Sequence, residues 1–183
     1  MANCCIFEME TIGALEDLEK FFDALSQKGR FAIGRAPEFD RPYIAENGDG
    51  MFRANIEGCA AWSVEGSLVT DEERMKKQKE IGIGPFNSEF IRTHEILTLP
   101  EASEKFDLTI EIFSFEPGCE FSEHIVVDCG DVLKNDTVSY QEIFPEDYNS
   151  FEEFQKDYPE ASEEDFRTGE ALCIGGFDPV FTI

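Results

Sequence analysis

Two histidines, His94 and His124, are all the imidazole this chain has, and only His124 falls among residues able to share chemistry with it. Read as an alternating strand, the stretch around it puts Glu120, Ser122, His124 and Asp128 on one face. A hydroxyl, an imidazole and carboxylates on one face are what general acid–base or nuclease chemistry needs, usually beside a divalent metal. His124, Glu123 and Asp128 are therefore the candidate catalytic residues of an enzymatic reading, a metal-dependent nuclease acting on DNA or guide RNA. The plainer reading is the polar side of a half-solvated sheet, and the lack of a second ligand at fixed spacing from His124 favours it. His94 reads as a surface residue. No resident metal and no cofactor is expected.

A second constellation is electrostatic. Between Glu142 and Glu170 eleven carboxylates stand against Lys156 and Arg167, a net of −9. Phe151, Phe154, Tyr158 and Phe166 are interleaved with them, and rings that dock would hold the charges in place as a floppy tail would not. Were the stretch helical, at about 1.5 Å per residue it would show one carboxylate per roughly 4 Å, near the ~3.4 Å phosphate spacing of one DNA strand. Glu152, Glu153, Asp157, Glu160, Glu163, Glu164 and Asp165 are the candidate partner-binding residues, and a protein with a basic groove is the partner they would suit. A plain solubilising face is the competing reading.

Arg74, Lys76, Lys77 and Lys79 form the one basic cluster, on a helix predicted from about Asp71 to Ile81 and opened by the capping-box pattern Thr70-Asp71-Glu72-Glu73. Cations toward a helix C-terminus suit its dipole, so a solvated helix accounts for them. A phosphate-contacting patch that binds nucleic acid, as a dimer placing two patches side by side, is the sharper alternative. Trp62 reads as a core anchor. The six cysteines, at 4, 5, 59, 119, 129 and 173, show no Cys-x-x-Cys pair and read as reduced thiols of a cytoplasmic protein. Cys4 and Cys5, adjacent on one strand, point to opposite faces and cannot bridge each other.

Any such group needs a core to position it. A chain of 183 residues fits a single domain, one that buries roughly 70% of its unfolded surface. Hydrophobic residues make up 42%, with 18 Phe, enough to fill an interior despite the charge. That charge is −25, from 40 acidic residues against 15 basic ones. It excludes a broad basic face for nucleic acid and makes a basic protein the natural attractor. No apolar run approaches the length that spans a bilayer, and no leader pattern opens the chain, so a soluble protein is expected.

The periodicities define the elements. Residues 3 to 12 alternate as a strand ended by Gly13, and Leu15, Leu18, Phe21, Phe22 and Leu25 recur at helical spacing, with Gly29 where a stop belongs. Phe31 to Ile33 is a short strand and Arg35 to Gly50 a loop. Phe52, Ala54 and Ile56 alternate as a strand, Ile91 to Leu97 is an edge strand, and Pro100 to Lys105 a short helix. Leu108, Ile110 and Ile112, a Glu116-Pro117-Gly118 turn, and Phe121 to Val127 predict a hairpin. Val132 to Phe144 adds a strand, Ser150 to Tyr158 a helix, and 171–174 and 180–183 a last extended segment. The order predicts an α+β fold, with helices packed on one face of an antiparallel sheet.

Met1-Ala2-Asn3-Cys4-Cys5, "GCAAWSVEG" at 58–66, "FSFEPGCEFSEHIVVDCGD" at 113–131 and "SFEEFQKDYP" at 150–159 together resemble the YubB-type ferredoxin-like proteins of phages, plasmids and integrated elements of gut Firmicutes. The likeness covers the first strand and helix and most of 52–66 and 107–158, with 67–98 as an addition. It implies a ferredoxin-like sheet and a mobile-element origin, and transfers no catalytic motif. Small acidic proteins of such elements often disarm host defence, and some inhibitors of Cas9 share this size and charge. The leading expectation is an anti-CRISPR-type inhibitor that binds Cas9, or its guide-RNA complex, and blocks target DNA binding or cleavage. The nuclease and the DNA-binding protein are the alternatives.

Overall fold

The structure is a computed structural model and describes residues 4–33, 38–40, 42–61, 63–68, 92–116, 119–143, 145–159, 162–168, 172–175 and 177. Cysteine, phenylalanine and methionine at alternate positions make β1 (Cys4–Gly13) the middle of the sheet, because Cys5, Phe7 and Met9 then all point into the core. Two strands flank it, β5 (Met51–Ala61) and β7 (Thr109–Glu116), both antiparallel. From β7 the sheet continues through β8 (Phe121–Asp128) and β9 (Asp131–Ile143) to β10 (Leu172–Gly175). On the other side, β3 (Glu38–Phe39) and β4 (Tyr43–Gly48) both pair with β5. A separate parallel pair joins β2 (Phe31–Ile33) to β6 (Glu95–Leu97).

Helix α1 (Leu15–Leu25) follows β1 directly and buries Leu18, Phe21, Phe22, Ala24 and Leu25. It ends at Ser26, ahead of the expected stop at Gly29, with Gln27 taking the left-handed turn (φ 57°). Gly13 makes the abrupt strand-to-helix junction possible, since any Cβ there would collide with the Leu108 side chain. Helix α2 (Leu99–Phe106) opens with a full capping box, Thr98 with Glu101, and closes on Asp107 in the left-handed region. Both helices lie on one face of the sheet and share its core. Ala54, Ile56, Ile110, Ile112, Ile125 and Val127 meet Phe21, Leu25, Leu99 and Phe106 there. Each large side chain so buried is worth about 1.5–3 kcal/mol.

The α+β expectation holds: an antiparallel sheet carries helices on one face. Chain order β1-α1-β4-β5-α2-β7 with lateral order β7-β1-β5-β4 is a β-α-β-β-α-β unit, in which β1 and β4 run parallel across β5. The β8–β9–β10 extension and the β2/β6 pair lie outside that unit.

Residues 35–50, expected as a loop, contain β3 and β4. The cause is turn chemistry: Asp49 and Gly50 both hold positive φ (52° and 77°) between Gly48 and Met51, the primed two-residue hairpin turn that Asp-Gly favours. Part of the stretch read as an addition is built into the body, for Glu95–Leu97 pairs with β2 and Thr98 caps α2.

Candidate functional site

The late acidic segment is anchored by rings. After β9 the chain makes a short 3-10 turn (Pro145–Asp147), then α3 (Phe151–Asp157) and α4 (Glu163–Thr168), and returns as β10 to pair with the end of β9. Ser150 caps α3 by accepting the Glu153 amide, and the Glu153 carboxylate accepts from the Asn149 backbone and side chain at 3.2 and 3.0 Å. Those two bonds, side chain first, hold the Glu153 carboxyl below the usual range, with Lys156 adding. Phe154 is 0% exposed. Its ring meets Tyr148, Tyr158 and Phe166 at centroid distances of 5.1, 5.3 and 5.5 Å, and Phe151 reaches Phe166 at 6.0 Å.

Around this cluster Glu146, Asp147, Glu152, Glu153, Asp157, Glu163 and Glu164 are exposed, with Lys156 and Arg167 as the exposed cations. Tyr148 donates toward Asp157 at 3.4 Å. Its hydroxyl is pushed up to about 12, first by its bond with Tyr158, then by burial and the nearby charges of Tyr158 and Asp157. Seven- and six-residue helices replace the single helix on which the phosphate-like spacing depended. The charges are divided among the 3-10 turn and the two short helices of this knob. Glu160 and the side chain of Asp165 lie outside the described residues.

The proposed nuclease set is not brought together. His124 and Asp128 do share the sheet face turned away from α1 and α2, as alternation requires, but Glu123 points to the opposite face and is 1% exposed. His124 instead meets Glu111 of the neighbouring strand, Nε2 to Oε1 at 2.8 Å. Its ring stacks on Phe113 at 4.0 Å and meets Phe177 edge-on at 5.5 Å. Asp128 accepts from the Thr109 hydroxyl at 2.7 Å. Glu120 belongs to the turn before β8 and holds a left-handed φ of 54°. Among the described residues no group of three or more His, Cys, Asp or Glu side chains could hold a metal ion.

Glu123 has a different use that the sequence does not announce. Its carboxylate accepts five hydrogen bonds inside the core. Ser63 Oγ (2.6 Å) and the Glu65 amide (3.2 Å) reach Oε1; Ser114 Oγ (2.5 Å), the Val64 amide (2.9 Å) and Cys5 Sγ (3.8 Å) reach Oε2. The carboxylate thus sits at the start of the 3-10 turn Glu65–Ser67, satisfies its free amides and ties that loop to the sheet. The donors come from three distant parts of the chain, so only the register Ser114 opposite Glu123 reveals the grouping. Two residues along β7, Glu116 is equally buried; one oxygen accepts from the Cys119 amide and the other, Oε1, has no hydrogen-bond partner among the described residues.

Burial pushes the Cys5 thiol up to about 11, with Glu123 and Glu116 adding and a Ser114 hydrogen bond opposing. Cys59 is disulfide-bonded, which corrects the expectation of six reduced thiols, while Cys5 and Cys129 are unbridged. Arg74, Lys76, Lys77, Lys79 and Trp62 lie outside the described residues. Among the described residues no helix is long and apolar enough to cross a membrane. No protein-family model, no curated protein and no solved structure matches this chain.

Proposed function

We propose that this chain is a non-enzymatic binding protein whose α3–α4 knob occupies a positively charged groove of a nucleic-acid-handling protein and so keeps nucleic acid out. The observation that carries the reading is Phe154 at 0% exposure under carboxylates that stay exposed. A solubilising tail has no need of a buried aromatic clamp, because charge alone keeps a chain soluble. A clamp removes much of the entropy cost of ordering the charges when they bind. The dispersal of Glu123, His124 and Asp128 over two faces of the sheet weighs against the nuclease.

Guide-loaded Cas9 is the particular partner to test first, on the strength of the sequence resemblance and the charge. Immobilised guide-loaded Cas9 is offered this protein at low and at moderate salt. Retention at both, lost when Glu152, Glu153, Glu163 and Glu164 are reversed to Lys, is the expected result. No retention at either salt removes Cas9 as the partner. Full retention by the reversed variant removes the knob as the contact.

A further inference from the structure

The sheet has two faces, and among the described residues helices α1 and α2 cover only one. On the other, strand registers set side chains in rows. One row runs Tyr43, Asn55, Glu10, Glu111, Val126; the next runs Glu57, Glu8, Phe113, His124, Asp136. Glu57 therefore stands directly opposite Glu8, and Glu10 directly opposite Glu111. Like charges directly opposed across strands are destabilising. Arg53 reaches Glu10 at 3.2 Å and His124 reaches Glu111, but no cation among the described residues bridges Glu8 or Glu57. Burial, then Glu57 and Glu10, push the Glu8 carboxyl up. Apolar side chains share the face, with Ile6 44% and Tyr43 72% exposed and Ile12 and Phe113 half-buried.

We infer that this face, which no described helix covers and on which Phe177 meets His124, docks a cationic amphipathic helix of another protein, which would complete a helix-sheet-helix sandwich. Layer packing explains why a helix fits: a sheet face with apolar side chains is ordinarily covered by one. Charge complementarity dictates its sign, since the helix would lie over Glu57, Glu8, Glu10 and Glu111. Spacing agrees as well. Glu8 and Glu10 stand about 6.8 Å apart along β1, and two helix residues four apart rise about 6 Å, so Arg or Lys at i and i+4 reaches both. Leucines on the adjoining stripe would meet Ile6, Ile12 and Phe113. These residues are distinct from the α3–α4 knob, so the inference stands whether or not the knob binds.

The test titrates the isotope-labelled full chain with two synthetic peptides of about five helical turns. In one, Leu and Arg fall on adjoining stripes; the other is a scramble of the same composition with no face. The expected footprint lies on the amides of β1, β5 and β7 around Glu8, Glu10 and Glu57. At moderate salt, where long-range steering is screened, affinity should drop about tenfold for the scramble and for the Glu8→Gln/Glu57→Gln variant, and stay within about twofold when the four knob glutamates are reversed. That Gln variant should also melt at or above the parent temperature, because it relieves an opposed pair, so lost binding is not lost folding. A footprint confined to residues 145–168, equal binding by the scramble, or no binding overturns the inference.

Discussion

Glu123 and Glu116 are two residues along facing strands from one another's rows, both buried, and their circumstances differ in one respect that sets opposite expectations. Every acceptor direction of Glu123 is used, by two hydroxyls, two amides and a thiol, whereas Glu116 Oε1 has no partner among the described residues. Replacing Glu123 by Gln keeps the shape but turns an NH2 toward donors, and about 3 kcal/mol of stability should be lost in urea unfolding. The same change at Glu116 replaces a carboxylate with only one oxygen hydrogen-bonded, and stability should stay within about 1 kcal/mol of the parent or rise. Equal damage at both positions would show that Glu116 Oε1 is satisfied in solution.

Cys5 gives a pH dependence with a definite sign. Its thiol is held protonated up to about 11 by burial, with Glu123 adding. Between the ordinary thiol range and that value the unfolded chain releases this proton while the folded chain keeps it. The folded state then binds more protons, and its stability falls as pH rises, by at most about 1.4 kcal/mol per pH unit. Unfolding series between about pH 8 and 11 should therefore show a shallower decline for Cys5→Ala than for the parent. Parallel curves would mean that Cys5 ionises equally in both states. Native Cys5 should also resist alkylation until the chain is unfolded.

Helix α3 is too short to be stable alone, since isolated helices below about 12 residues are marginal in water. Its order must come from the Ser150 cap and from Phe154 in its ring cluster. Ser150→Ala should cost about 1 kcal/mol. Phe154→Ala should cost about 3–5 kcal/mol of local stability. Hydrogen exchange can separate the two outcomes. For Phe154→Ala, amides of 151–168 should exchange rapidly while those of β1, β5 and β7 keep their protection, because the ring cluster is distinct from the main core. Loss of protection throughout the sheet would mean that the knob and the sheet unfold as one unit.

Over the whole molecule, the −25 charge produces a field that steers basic partners and repels nucleic acid. Its effect on binding belongs mainly in the association rate. Reversing Glu152, Glu153, Glu163 and Glu164 to Lys should slow association with a basic partner at least tenfold at low salt and flatten its salt dependence, while dissociation changes less. Stopped-flow or interferometry at several ionic strengths measures both. A variant that alters only dissociation would point to specific short-range bonds from these carboxylates instead of steering.

Much of the architecture is legible along the chain because its signals are short-ranged. The alternation in β1 and β7, the apolar stripe of α1, and the Ser150–Tyr158 helix each depend on neighbours within a few residues, and each stands where its period places it. The β4 strand is not legible because its alternation is weak and Asp49-Gly50 by itself signals a turn, not the strands that flank it. What the chain alone leaves open is which side chains meet across long separations. Pairing Ser114 with Glu123, Glu111 with His124, and Glu8 with Glu57 needs strand order and register. A slip of one residue would turn every one of these side chains to the opposite face. Composition therefore makes the molecule acidic and the order of local periodicities makes it α+β, while packing chooses which carboxylates become buried anchors and which remain a charged surface.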